Sequence, residues 1–338
     1  MNRPHTAPLR TMSLLWLPLA IILPGITVST GNAVAQAPGH TITIVVPVTP
    51  GAGPDILART IGEELQRRWG QAVVVENKPG ASTNIATQFV ARAAPDGHTL
   101  LMTANPFTAN ISLFKNLSYD PVKSFTPIIK VATGALALAV HPSVPAHSTK
   151  EFIAHLRTRP GQLNYSSPGV GIPHHLAMEL FKLAAKVDMK HVPYRGPAGA
   201  TQDLVGGHVS ASFLGLHGAL PLMQDNQIRL LAVASRDRES VAPQLPTLME
   251  EGLPVAVELW FGIFAPAGTP PAIAEHYNKE INEILRVPEI VKKLAKQGLI
   301  VVGGTPERLS EFIARDIVKW QKLIRDAGIT ADASPTAN

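Results

Sequence analysis

The feature that most limits the fold is an alternation. From Thr41 onward, short runs rich in β-branched residues exchange places with longer stretches of helical periodicity. This is the mark of parallel α/β architecture, because parallel strands are buried on both faces and each crossover helix covers them. Residues 41–48 (TITIVVPV) read as a strand and 54–69 as a helix. Residues 72–76 form the next strand, and a turn through Lys78-Pro79-Gly80 leads to a helix near 84–93. The Pro95-Asp96-Gly97 turn ends it, and 98–103 return as a third strand. Residues 125–140 read as two strands leading across to a second lobe, where 148–157 are helical, 163–166 extended and 174–185 helical. The unit then repeats, with 191–194 extended, 198–205 helical and stopped by Gly206-Gly207, and 209–214 and 229–234 extended. The apolar run at 258–265 (ELWFGIFA) crosses back. The remainder is two helices, 273–285 and 306–327, joined through a short strand at 299–302.

This reading places one discontinuous lobe at 38–138 plus 262–330 and a second at 139–261, with mixed sheets flanked by helices. Two crossing strands form the hinge, and residues 331–338 are expected to be a disordered tail.

Ahead of these elements, Arg3 and Arg10 precede an almost wholly apolar stretch from Met12 to Val28. The small residues Ala33-Val34-Ala35 and Ala35-Gln36-Ala37 then fit the A-x-A pattern, so residues 1–35 read as a cleaved secretory signal peptide. Pro18, Pro24 and Gly25 leave too little unbroken helix for the roughly 20 residues of a membrane span. Cleavage after Ala35 removes two arginines and no acid, lowering the formal charge from +5 to +3. That balance suits small anions, but no window clusters Lys and Arg with aromatic residues as a nucleic-acid surface requires. The absence of cysteine excludes a disulfide scaffold, a thiolate metal site, a cysteine nucleophile and a lipid anchor on cysteine.

Three strand-to-helix junctions share one chemistry: a Gly/Pro loop feeding directly into a helix start. They are Thr49-Pro50-Gly51-Ala52-Gly53-Pro54-Asp55, Ser166-Ser167-Pro168-Gly169-Val170-Gly171-Ile172-Pro173-His174, and Arg195-Gly196-Pro197-Ala198-Gly199. Unpaired amides and the positive end of the helix dipole converge at such a junction, so a carboxylate can be held without a full countercharge. Ligands of open α/β sheets gather at the carboxyl ends of strands, where these loops lie. A single such loop can equally be a strand stop and helix cap; two opposed loops would form the jaws of a cleft. Ser82-Thr83-Asn84 and the segment from Thr103 to Thr108, with Asn105, offer further polar groups, which N-capping explains as well for the former.

Enzymatic alternatives are weaker. Ser166 or Ser167, His174 or His175, and Asp203 contain the ingredients of a hydrolase triad, but no G-x-S-x-G elbow exists. His174-His175 lacks metal spacing, since adjacent helical residues diverge by about 100°. No Walker loop or complete dinucleotide loop occurs, so no cofactor or metal is expected.

Taken in order, the segments VVPVTPGAGPDILAR (45–59), VVVENKPGASTNIAT (73–87), APDGHTLLM (94–102), YDPVKSFTPI (119–128), LNYSSPGVGIPHHLAMELF (163–181), HVPYRGPAGATQDLVGGHVSASF (191–213) and WFGIFAPAGTPP (260–271) resemble the Bug receptor family. These are the TctC-like substrate-binding components of tripartite tricarboxylate transporters. The resemblance implies a periplasmic, two-lobed binding protein of the type II Venus flytrap class that performs no chemistry on its ligand. It also implies a small organic anion as ligand and, as partner, membrane transporter subunits or, alternatively, a periplasmic sensor domain, with the receptor itself a monomer. By position it assigns Pro50, Gly51, Ala52, Gly53 and Asp55 to the first jaw, and Ser166, Ser167, Gly169, Gly171 and His174 to the second. Tyr194 belongs to the third motif; Asn105 and Phe107 are added as contacts, Phe107 equally fitting the core. Ala52 stands where the family usually has a second glycine, so a left-handed backbone there would be strained. Leu214, Gly215, Leu216 and His217 stand where many members carry an acidic residue that meets a ligand ammonium, which points to a di- or aromatic carboxylate without an amino group.

Overall fold

The computed structural model describes residues 40–326 together with Gly328 and Ile329; the expected signal peptide and tail lie outside these residues. In chain order the first elements are β1 (Ile42–Val46), α1 (Gly53–Trp69), β2 (Val73–Asn77), a 3-10 turn (Ala81–Thr83), α2 (Asn84–Ala91), β3 (Thr99–Ala104), α3 (Pro106–Leu113) and β4 (Phe125–Val140). There follow α4 (Thr149–Arg157), β5 (Asn164–Ser167), α5 (Pro173–Ala185), β6 (Lys190–Pro193), α6 (Pro197–Val205), β7 (Ala211–Gly215), α7 (Leu216–Gln224) and β8 (Arg229–Val233). The chain closes with β9 (Glu258–Pro266), α8 (Pro271–Ile284), α9 (Pro288–Ala295), β10 (Leu299–Val301) and α10 (Pro306–Asp326).

The strand order repeats a local pattern. β1 lies between β2 and β3, all parallel, and β3 pairs antiparallel with β9. β5 likewise lies between β6 and β7, all parallel, and β7 pairs antiparallel with β4. Because β1 and β5 are each the central parallel strand, their following loops emerge at equivalent places, flanked by neighbouring strand ends. β1 (ITIVV) is almost wholly buried, as a strand covered on both faces must be.

Residues 125–140 form one continuous strand rather than two. Pro127 donates no hydrogen bond, yet the ladder to β9 survives it through register shifts near Pro127 and Lys130. β4 pairs with β9 as far as Ala135 opposite Glu258, and from Leu136 its partners are β7 and β8.

Three helices depart from the sequence reading. α3 is eight residues long with no polar face, so it carries no amphipathic signal. α7 contains Gly218 and an internal Pro221, which mask it. α9 begins with Pro288 and carries Glu289 in its first turn and Lys292 and Lys293 in its last, a signature legible but unused.

α10 is tied to the sheet by a buried carboxylate. Asp316 Oδ2 accepts from Thr108 Oγ1 (2.6 Å), Trp260 Nε1 (2.9 Å) and Trp320 Nε1 (3.0 Å). These bonds join α10 to α3, which Asn105 immediately precedes, and to β9, which carries Trp260. Removing the acceptor strands the two buried indole N–H groups, at about 1–3 kcal/mol each, while the Thr108 hydroxyl keeps Asn105 O as an acceptor at 3.0 Å. Asp316→Ala is therefore expected to lower unfolding free energy by at least about 2 kcal/mol in urea titration, while Asp316→Asn, which can leave its amide oxygen at the convergence point, costs markedly less. Equal losses in both variants would refute the convergence argument.

Candidate functional site

The loop after β1 owes its shape to two residues behind it. Gly51 has φ 86, in the region glycine favours, and its N–H donates to Asp55 Oδ2 at 2.9 Å. Arg59 Nε lies 3.1 Å from both Asp55 oxygens, and Asn77 Nδ2 donates to Asp55 Oδ1 (2.9 Å) and Val48 O (2.9 Å). Burial opposes ionisation of Asp55. The Arg59 hydrogen bonds, the Gly51 amide, Asn77 and the Arg59 charge outweigh it and hold the carboxyl below its usual range. Ala52 is extended (φ −78, ψ 161), so alanine at that place carries no left-handed strain. Ile56 donates to Ala52 O, and the N–H groups of Gly53 and Asp55 precede this first intrahelical bond.

The loop after β5 is braced from within. Ser166 Oγ donates to Ala200 O (3.0 Å), and Ser167 Oγ lies 2.8 Å from Gly169 O and 2.6 Å from His191 Nε2. The Gly171 N–H donates to His175 Nδ1 at 2.9 Å. His191 stacks between His175 and Tyr165, at ring separations of 4.1 and 4.8 Å. Burial is the main cause that lowers His175 to about 4 and His191 to about 3, so both are neutral at pH 7. Tyr194 donates its hydroxyl to Asp203; burial and that bond push it up to about 12. The serines are thus engaged with Ala200, Gly169 and His191, and Asp203 with Tyr194, so the triad considered from sequence does not form. Among the described residues, no three His, Asp or Glu side chains converge to hold a metal ion.

Between these loops lies a cavity of about 950 Å³. Of the residues expected in the site, Pro50, Gly51, Ala52, Gly53, Asn105, Gly169, His174 and Tyr194 line it. Asp55, Ser166, Ser167, Gly171 and Phe107 do not. Asn105 reaches the cavity, but its amide is committed to β9: Nδ2 donates to Glu258 O and Oδ1 accepts from Trp260 N. Phe107 is core. It is fully buried on α3, stacked on Phe264 at 4.6 Å and edge-on to Phe125 at 5.0 Å. Turning it into the cavity would vacate an aromatic cluster whose loss costs about 3–5 kcal/mol.

The first turns of α1, α3, α5 and α6, each with a proline at its start, face the cavity, as does that of α7. Leu259 and Phe261 of β9, Phe114, Ile172, Leu214 and Leu222 supply apolar wall. Among the described residues, no Asp or Glu lines it; the charged or titratable groups there are His174, Tyr194, Arg195 and His217. The two rims touch. Ser82 Oγ donates to Val170 O at 3.0 Å, from a turn in which Ala81, Ser82 and Thr83 all have positive φ. A Cβ on Gly53 would lie 2.9 Å from Phe261 Cζ and 3.2 Å from His217 Cε1, so only glycine lets α1 start this close to both rings. Sequence reasoning did not select His217 or Phe261 as site residues, and it offered Ser82 only as a polar group that N-capping explains as well. For His217 a signal existed in its departure from the family's acidic pattern.

Comparison with known proteins is consistent with this geometry. Residues 57–329 match the tripartite tricarboxylate transporter family receptor. The chain belongs to that family. Protein BugT of Bordetella pertussis is 34% identical over 318 residues, 92% of this chain and 97% of that protein. An R. palustris protein solved with adipate is 34% identical and superposes with TM-score 0.85 over 87% of this chain and 99% of its own. MatC from Rhodopseudomonas palustris, solved with bound malate, is 31% identical with TM-score 0.80 over 85% and 99%. The fold is accordingly that of two-lobed periplasmic binding proteins, and the family is one of solute-binding receptors rather than enzymes.

The Asp55 brace has a pH signature. Its folded-state pKa is depressed, so its stabilisation is complete above the unfolded value of about 4 and is lost as pH falls through the folded value. Asp55→Asn should cost about 1–3 kcal/mol at pH 7, read by urea unfolding, and the gap to wild type should narrow towards pH 3. A gap independent of pH would remove the charge from the brace.

Proposed function

We propose that this receptor captures a small organic carboxylate, a dicarboxylate or aromatic acid without an amino group, and presents it to the membrane subunits of a tripartite tricarboxylate type transporter. The observation that carries this reading is the cavity wall: several helix starts aim their amide ends at one space whose lining, among the described residues, contains no carboxylate. Each helix terminus offers about half a unit of positive charge, so an anion is favoured and an ammonium has no partner. The loop from Pro50 to Gly53 holds one side of the ligand and Gly169, His174 and Tyr194 the other, while Asp55, Ser166, Ser167 and Gly171 act from behind by shaping the loops. Residues 38–138 plus 262–330 form one lobe and 139–261 the other, a division supported by the exchange of β4 partners after Ala135. The protein works as a monomer in the periplasm after its leader is removed. Support for that location comes from the sequence of residues 1–35 and from relatives such as BugD, described as a periplasmic binding protein. The ligand leaves chemically unchanged.

A thermal-shift panel of malate, adipate and benzoate tests this. An acid present at 100 times its dissociation constant stabilises the fold by about 2.7 kcal/mol, and chromatography should recover it intact. Stabilisation by amino acids but by none of these acids, or turnover of a bound acid, would overturn the reading. Gly53→Val, which drives a branched side chain against Phe261 and His217, should abolish that stabilisation while lowering stability itself by about 1–3 kcal/mol.

A further inference from the structure

His174 and His217 form a chemical pair that the amide-lined jaws do not account for. His174 is the second residue of α5 and His217 the second of α7, and both line the cavity. The His217 ring folds back onto its own helix start: a Cβ on Gly215 would lie 2.3 Å from its Cε1, so glycine there makes room for the imidazole. The same ring approaches the Gly53 end of α1. In each histidine Nδ1 is buried and finds no hydrogen-bond partner among the described residues. Buried polar atoms normally have partners, so two imidazoles left this way beside a cavity are groups arranged to be satisfied by what enters it.

Charged side chains on the surrounding elements are turned to other partners. Asp55 of α1 is held by Arg59 and Asn77, and Asp203 of α6 takes the Tyr194 hydroxyl. Glu179 and Lys182 of α5 bind each other, Glu258 of β9 binds Lys130, and Asp316 behind β9 is taken by Thr108 and two tryptophans. Arg195 is exposed. Burial holds His174 near 3, with His217 adding to the effect, and His217 near 4, so the pair carries no charge at neutral pH.

We propose that His174 and His217 receive the second acidic group of a dicarboxylate, and that a proton enters with it. This rests on the carboxylate reading above and sharpens it to a ligand class. The first carboxylate is met by helix dipoles. A second carboxylate beside two neutral imidazoles would bury an uncompensated charge, which is costly unless one proton from solvent settles on the imidazole–carboxylate pair. The ligand loses no atom and forms no bond; one proton passes from water to the site for each dianion bound. A monocarboxylate of equal length leaves its methyl end against the imidazoles and takes up no proton.

The test is calorimetric titration of the purified protein with unbranched dicarboxylates from succinate to suberate and with monocarboxylates from butyrate to octanoate. It is run between pH 6.5 and 8.5, above the acids' own titration, in buffers of different ionisation enthalpy. A dicarboxylate should bind with uptake of about one proton and weaken about tenfold per pH unit as pH rises, while a monocarboxylate shows neither effect. His174→Gln and His217→Gln should flatten the dicarboxylate's pH dependence and abolish its proton uptake. A cooperative thermal unfolding transition near that of the wild type identifies these variants as folded. Dicarboxylate binding without proton uptake, uptake unaltered in both variants, or binding of monocarboxylates alone would overturn the histidine assignment and leave the carboxylate reading standing. Binding of neither series would overturn the carboxylate reading itself.

Discussion

The ladder between β4 and β9 is the interaction on which the remaining architecture depends. β4 is long enough to pair with β9 over its first part and with β7 and β8 over its last, so one continuous backbone carries the two three-strand parallel units. The units share the order of a central parallel strand, two parallel neighbours and an antiparallel fourth. Their β1 and β5 loops are therefore related by topology before any side chain is considered. β9 also brings Leu259 and Phe261 to the cavity wall and, through Trp260, receives Asn105 and Asp316. A shift along this ladder would move the wall, the α3 start and the C-terminal helix together.

The proposed anion site would be built almost without charge. Formal countercharges buried beside the ligand would carry a desolvation cost when the site is empty, whereas amide dipoles at helix starts are fixed by the fold and bring no net charge. The acidic groups that the design does use are one layer back. Asp55 holds the Gly51 amide and Arg59, and Asp203 holds Tyr194, so each shapes a jaw while its negative charge is consumed locally. The same separation explains why the serines of the β5 loop are poor nucleophile candidates: their hydroxyls are engaged in setting the path of the loop that contains Gly169.

Much of this was legible in the amino-acid sequence, for physical reasons that can be named. β1 announced itself because a strand buried on both faces must be apolar throughout, and α1 because Pro54, Asp55, Arg67, Arg68 and Gly70 obey the end preferences of helices. The paired glycine loops were visible because nothing else feeds helices so abruptly. Illegible features were those decided by tertiary contact. Whether Phe107 meets ligand or core depends on Phe125 and Phe264, far along the chain, and the unbroken course of β4 depends on β9 absorbing Pro127. The expectation about Ala52 shows the same limit from the other side. A motif indicates that glycines cluster, but only the backbone reveals that Gly51 alone turns left-handed while its neighbour stays extended.

This distinction bears on how members of one family come to differ in ligand. The loops proposed to meet the first carboxylate would use backbone, and backbone geometry tolerates few substitutions: Gly51 needs its positive φ and Gly53 its closeness to Phe261. Side-chain chemistry would enter where α5 and α7 begin, at His174 and His217, the latter fitted into the space that Gly53 and Gly215 leave. A fold arranged this way can hold one charged end of every ligand by main chain and alter the reading of the other end through two or three helix-start residues. On that logic the proposed imidazole pair would set which distal group is accepted, while the glycine jaws would serve the end that all such ligands share.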